Sequence, residues 1–334
     1  MVNPKAHLVT DPFTSGIERR PTRDGFGTGV VLAGRADAQV VVLCADLKES
    51  TRAEAFEKEF PDRYIEMGVA EQNMAGIASG MAAIGKVPFT LSYACFNPGR
   101  NYEQIRTLIA LNAANVKVCG MHAGVSVGAD GATHQMLEDL GMMRMLPGMT
   151  VLAPADALEA EKAILAAAGL PGPVYLRFGR AATPLFTTAA TPFVIGKALP
   201  LWSPPPGGDA PRVALLATGP QSHDALLAAH ALRREKIETL VLHLPTVKPL
   251  DEEAVLEAAR RAGRVVTVEE HQAAGGFGSA VAELLGERHP VPMRRVGVRD
   301  LFGQSGEPEQ LAGHYGLDAK AIVAAARQLV SANG

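Results

Sequence analysis

A chain of 334 residues that is 47% hydrophobic and 20% charged is long and apolar enough for about two globular domains, and its composition excludes a disordered chain. The net charge of −3, with acids and bases dispersed, argues against a nucleic-acid surface, and no apolar run is long enough to cross a membrane. Residues 1–20 mix charge with Pro and Ser rather than forming a signal peptide, and the widely spaced Cys44, Cys95 and Cys119 fit reduced thiols in a cytoplasmic protein better than zinc or disulfide chemistry.

Taken in chain order, residues 40–43 predict a buried strand, 53–60 a helix and 71–84 a second helix. A strand at 87–91, a helix at 102–112, a strand at 116–120 and a helix starting at 133–143 follow, then a strand at 150–153, a helix at 157–168 and a strand at 174–178. This alternation predicts an α/β fold with a mostly parallel sheet covered on both faces. Residues 191–212 carry the turn signal Pro204-Pro205-Pro206-Gly207-Gly208 and read as a linker with a first strand region. A second α/β series runs through strands 213–217, 239–242 and 265–269 and helices 222–234, 251–262 and 275–285. The expected division is therefore 1–190, linker, and 213–334, each unit a doubly wound α/β domain.

The most informative stretch is 64–76, Tyr-Ile-Glu-Met-Gly-Val-Ala-Glu-Gln-Asn-Met-Ala-Gly. It sets Glu71 at the start of an apolar, small-residue helix whose Met74, Ile77, Ala78 and Met81 form a buried stripe. A carboxylate near a core needs a partner, although Glu71 alone also suits an ordinary acid in a first helical turn. The segment resembles the pyrimidine-binding domain of the transketolase and deoxyxylulose phosphate synthase family. In that family a glutamate here holds the aminopyrimidine of thiamine diphosphate and activates the cofactor to its ylide. A second block supports the resemblance: Ser92-Tyr93-Ala94-Cys95-Phe96, then Arg100-Asn101-Tyr102-Glu103-Gln104. The family stacks an aromatic on the pyrimidine here. One extra residue in Asn97-Pro98-Gly99 leaves Tyr93 and Phe96 both open for that role, and either ring on its own also suits a core.

Residues 120–135 form a glycine-rich stretch at a strand end, carrying His122, Asp130 and His134, with His134 expected at the opening of a helix. At that opening His134 could hold sugar hydroxyls or relay protons, and Gly128-Ala129-Asp130-Gly131-Ala132-Thr133-His134-Gln135 is similar to the family motif, which implies that Asp130 and His134 contact sugar hydroxyls. Arg23, Ser50, His122 and Arg180 resemble the phosphate end of the transketolase sugar channel, and Arg100 resembles an arginine that some relatives direct at substrate. Singly, each suits a surface salt bridge or cap; together they suit an oxyanion. The 265–279 and 300–306 segments resemble the family's C-terminal domain, which mainly supports assembly, so Glu270 and His271 fall outside the expected site.

No Gly-Asp-Gly segment for holding Mg²⁺ and the diphosphate occurs. The resemblance therefore implies one subunit of a split transketolase. It would transfer a two-carbon ketol between sugars or sugar phosphates, share thiamine diphosphate and Mg²⁺ with an N-terminal partner that holds the metal, and assemble as an α2β2 heterotetramer. This chain itself would provide no metal ligands. The competing readings are the beta subunit of a 2-oxoacid dehydrogenase, a synthase-like decarboxylase, and a non-catalytic scaffold.

Overall fold

The computed structural model describes residues 1–332. Its strands, in chain order, are β1 (Arg19–Pro21), β2 (Val40–Cys44), β3 (Tyr64–Glu66), β4 (Val87–Tyr93), β5 (Lys117–Met121), β6 (Thr150–Leu152), β7 (Val174–Arg177) and β8 (Ala182–Pro184). They continue as β9 (Leu199–Trp202), β10 (Val213–Ala217), β11 (Thr239–His243), β12 (Thr246–Lys248), β13 (Val265–Gln272) and β14 (Met293–Val298). A seven-stranded sheet has the order β12-β6-β7-β5-β4-β2-β3, a five-stranded sheet the order β14-β13-β10-β11-β9, and β1 and β8 form a small antiparallel ribbon. All neighbours in the large sheet are parallel except the edge strand β12.

Burial follows the two-residue period of a strand. Val40, Val42 and Cys44 of β2 face a cluster with Phe26, Val30 and Ile164. Val41 and Leu43 face the opposite way, into a core that also takes in Leu216 and Leu242 from the second sheet and Phe277 from the helix Phe277–Arg288. The two sheets therefore share one apolar interior. Two segments also cross between them: β12 pairs with β6 in the first sheet, and the first residues of the chain lie on β9 in the second, through Asn3 N–H to the Leu201 carbonyl.

The α/β architecture agrees with the sequence reading, with instructive exceptions. The helix Thr22–Ala36 carries Gly25, Gly27, Gly29 and Gly34, a composition poor in helix propensity. The glycines are there for packing: a Cβ at Gly25 would collide with the Ala157 carbonyl, and one at Gly29 would come 2.9 Å from the Ile164 side chain. The expected 102–112 helix is a short α-turn, Tyr102–Gln104, running into a π-helix, Ile105–Ala110. The expected helix from 133 begins only at Asp139, in Asp139–Arg144. Before it, Gln135 donates to the carbonyls of Val125, Gly128 and Gln304 and holds the chain in an irregular path. His134 therefore lies in a turn, not at a helix start. Strand β14 and the terminal helix Ala319–Ser331 complete the second unit without having been foreseen.

Candidate active site

The carboxyl ends of β2, β4, β5 and β7 lie side by side in the parallel sheet, the place where open α/β sheets bind ligands. From them project the segments bearing Ser50, Tyr93, His122 and Arg180.

Glu71 is the first residue of the helix Glu71–Ala83 and is 1% exposed. Ser92 Oγ, on β4, donates to Oε1 at 2.9 Å, and Arg100 donates to Oε2 at 3.0 Å. The turn after β4 is fixed by buried amides. Asn101 Nδ2 donates to the Glu71 carbonyl and to Asn97 Oδ1, each at 3.0 Å, and Asn97 Nδ2 donates to the Thr90 and Cys119 carbonyls, each at 3.1 Å. This turn presents Tyr93 and Phe96, whose rings lie 25° from parallel with centroids 6.2 Å apart. His134 meets both edge-on, at 6.0 and 5.5 Å. Its Nδ1 lies 2.9 Å from Thr133 Oγ1.

Tyr93 links this carboxylate end to a cationic end. Its hydroxyl is 2.8 Å from Ser50 Oγ, and its ring centroid is 4.1 Å from that of His122. Arg23 donates to the Ser50 carbonyl at 2.8 Å and to His122 Nε2 at 3.1 Å. Because guanidinium only donates, His122 Nε2 accepts and the imidazole proton sits on Nδ1. Burial, then the charges of Arg23, Arg180 and Arg52, push the His122 pKa down to about 3, so the ring is neutral. His122 Nδ1 and Arg23 Nε are buried donors with no partner among the described residues, and His122 holds the left-handed φ of 54°. Burial and the neighbouring Arg52 and Arg180 also lower the Arg23 pKa. Arg180 donates to the Val127 carbonyl at 3.0 Å and pairs with Asp130 at 3.1 Å, with both side chains partly exposed. Excess positive charge and unmet donors suit a ligand oxyanion.

The structure thus brings Arg23, Ser50, His122 and Arg180 together, with Asp130 bound to Arg180 rather than standing free. Arg100 lies apart from them, on Glu71 and Phe96. Sequence reasoning missed Ser92 as the second donor to Glu71. It also missed Arg52, which pairs with Asp24 at 2.7 Å and adds to the positive field. The hold of the second unit on the His122–His134 loop was missed as well. Glu270 accepts from Ser126 N–H at 2.6 Å and Ser126 Oγ at 3.2 Å. Gly124, at φ 89°, lets that carboxylate in, since a Cβ there would collide with it. Ser92 is adjacent to Tyr93, which was a usable signal; nothing local marks Glu270, which is 144 residues from Ser126.

An aminopyrimidine fits the Glu71 end, where a buried carboxylate can meet a ring nitrogen beside aromatic faces. Among the described residues, no group of three or more His, Cys, Asp or Glu could hold a metal ion, and no helix is long and apolar enough to cross a membrane.

Residues 18–184 match the family model described as transketolase, pyrimidine binding domain, and residues 208–322 match transketolase, C-terminal domain. The chain is 41% identical over 321 residues to the 6-deoxy-6-sulfo-D-fructose transketolase subunit of a Clostridium species, covering 96% of this chain and 98% of that one. It is 37% identical over 309 residues to an apulose-4-phosphate transketolase subunit of Phocaeicola vulgatus, covering 92% and 97%. A solved structure described as a split gene transketolase, inactive beta4 tetramer, matches with a TM-score of 0.85 at 41% identity, covering 93% and 98%.

Proposed function

Because the chain belongs to the transketolase family, we propose that it is the pyrimidine-binding and C-terminal half of a split transketolase, inert until an N-terminal subunit joins it. The observation that carries this reading is the buried Glu71 carboxylate beside Tyr93 and Phe96, joined through Tyr93 to the cationic cluster. Full-length similarity to two separate transketolase subunits, and to a beta chain described as inactive when assembled with itself, supports the split arrangement. The partner would hold Mg²⁺ and the diphosphate, and two pairs would close as an α2β2 assembly in the cytoplasm. The two units of this chain divide near residue 190.

Thiamine diphosphate supplies the nucleophilic carbon and the electron sink for cleaving the bond next to a ketose carbonyl. Glu71 would hold the pyrimidine ring nitrogen and share a proton with it, with Ser92 fixing the orientation of its carboxylate. Phe96 and Tyr93 would offer aromatic faces to the flat ring and exclude water. Arg23, Arg180, Ser50 and neutral His122 hold the anionic end of the sugar, with His122 Nδ1–H donating to it. Asp130 and His134 hold sugar hydroxyls, and His134 moves a proton to and from the oxygen formed at the carbonyl. The anion is a tetrahedral oxyanion, a phosphate or a group of like shape. Transfer is of a two-carbon ketol from a ketose to an aldose.

Glu71→Ala in the assembled complex should lower turnover ~10³-fold, within the usual range for a positioned acid–base group, and leave assembly intact by native mass spectrometry. Turnover within a few fold of the parent would remove Glu71 from the chemistry.

A further inference from the structure

Arg100 belongs to the expected substrate set but lies away from the cationic end. Its guanidinium donates to Glu71 Oε2 at 3.0 Å, and its central carbon lies 4.4 Å from the Phe96 ring centroid. Glu71 is 1% exposed and the Arg100 side chain 46%, so a fixed buried carboxylate is met by a side chain with room to move. Oε1 is taken by Ser92, so Oε2, held by the half-exposed Arg100, is the edge for which a ligand would have to compete.

A guanidinium is flat, delocalised and edged with N–H donors, and it stacks on aromatic faces. The aminopyrimidine presents the same features to the same two groups: a flat ring for Phe96 and a nitrogen-bearing edge for Glu71. We propose that Arg100 is a resident stand-in for the pyrimidine, neutralising Glu71 in the free subunit and displaced from Glu71 and Phe96 when the cofactor enters. This rests on the functional reading above and adds a competition to it. A buried carboxylate without a partner is costly, so the free subunit gains stability from the pair. The cofactor must break that pair, and its apparent affinity falls by the fraction of molecules in which Arg100 holds the site. Once released, the half-exposed Arg100 is free to turn toward the sugar groove, which reconciles its position with the substrate role expected from sequence.

The test is calorimetric titration of thiamine diphosphate, with Mg²⁺, into the assembled complex carrying Arg100→Met, which keeps the apolar stem and removes the flat cation. Binding should tighten by about 5-fold or more as the competing pair disappears. The isolated Arg100→Met subunit should melt at a lower temperature than the parent, because Glu71 loses its counter-charge. In a Glu71→Gln background, Arg100→Met should no longer tighten binding. Unchanged or weaker binding by Arg100→Met, in a complex whose parent does bind the cofactor, would overturn the displacement and leave the functional reading standing. A parent complex that takes up no cofactor would overturn both.

Discussion

The proposed sugar groove, half-buried around His122, and the buried joint between the two sheets are both polar, yet they treat charge in opposite ways. In the joint, opposite charges meet. Arg177 Nε donates to Asp139 Oδ2 at 2.8 Å, its Nη2 donates to the Glu270 carbonyl at 2.7 Å, and the Tyr175 hydroxyl donates to Asp139 Oδ2 at 2.8 Å. A second link runs from Ser222 Oγ to His243 Nδ1 at 2.6 Å and from His243 Nε2 to Glu159 Oε2 at 2.7 Å. It has the order of a hydrolase triad, but Ser222 and His243 are 0% exposed, so it ties elements together instead of meeting a substrate. In the groove, Arg23, Arg52 and Arg180 share one field, and the buried donors Arg23 Nε and His122 Nδ1 are left open. Closed pairs make a joint; unmet donors of one sign make a receptor for a ligand of the other.

Substitutions that separate stability from binding sharpen this contrast. The largest effect on stability belongs to Asp139→Ala, which strands a buried guanidinium and should cost about 3–5 kcal/mol in denaturant unfolding. An unchanged unfolding midpoint would mean that the joint does not hold the sheets together. In the groove, Arg180→Ala should raise KM for phosphorylated sugars ~10–100-fold, the scale of a charge-assisted hydrogen bond, with stability and unphosphorylated sugars little affected. Equal loss on both sugar types would remove Arg180 from the anion site.

His122 gives a pH signature. Its folded pKa is depressed from 6.5 to about 3, so the native ring stays neutral while the unfolded chain takes up a proton. Its contribution is therefore present above the unfolded pKa and is lost as pH falls toward the folded one, ~2 kcal/mol between about pH 7 and pH 5. The stability–pH curve of His122→Gln should be flatter by that amount across this window; a curve parallel to the parent would place the imidazole in water. The smallest effect is expected where the two regions touch. Glu270→Gln keeps the hydrogen-bonding shape with Ser126 and should cost ~1 kcal/mol of stability. It should also raise sugar KM a few fold through the loop, with kcat nearly unchanged. A change in stability alone would confine Glu270 to the joint.

Much of this was legible in the sequence, for a physical reason. Buried parallel strands such as β2 and β10 are continuous apolar runs, and the spacing of Met74 and Ala78 marks a helix face, so the α/β order could be read locally. Glu71 stood out because it is a lone acid before that face. What escaped was decided at long range. The glycine-rich helix Thr22–Ala36 is stabilised by close approach to the helix Ala157–Gly169, which outweighs poor propensity. The segment before Asp139 has helical composition, but Gln135 bonds to Gln304, far along the chain, and keeps it irregular. Similarly, Arg100 could be matched to a motif, but only the fold reveals that it lies on Glu71 and Phe96.

The most direct test of the central claim is a reconstitution assay. The purified chain would be assayed for ketol transfer with thiamine diphosphate and Mg²⁺, alone and after titration with the N-terminal transketolase subunit from its own host. The account predicts no turnover alone and activity that rises to a plateau at one partner per chain. Turnover by this chain alone, or a stable stoichiometric complex that binds the cofactor and transfers no ketol to any aldose, whether unsubstituted or bearing a phosphate or like-shaped anion, would contradict it.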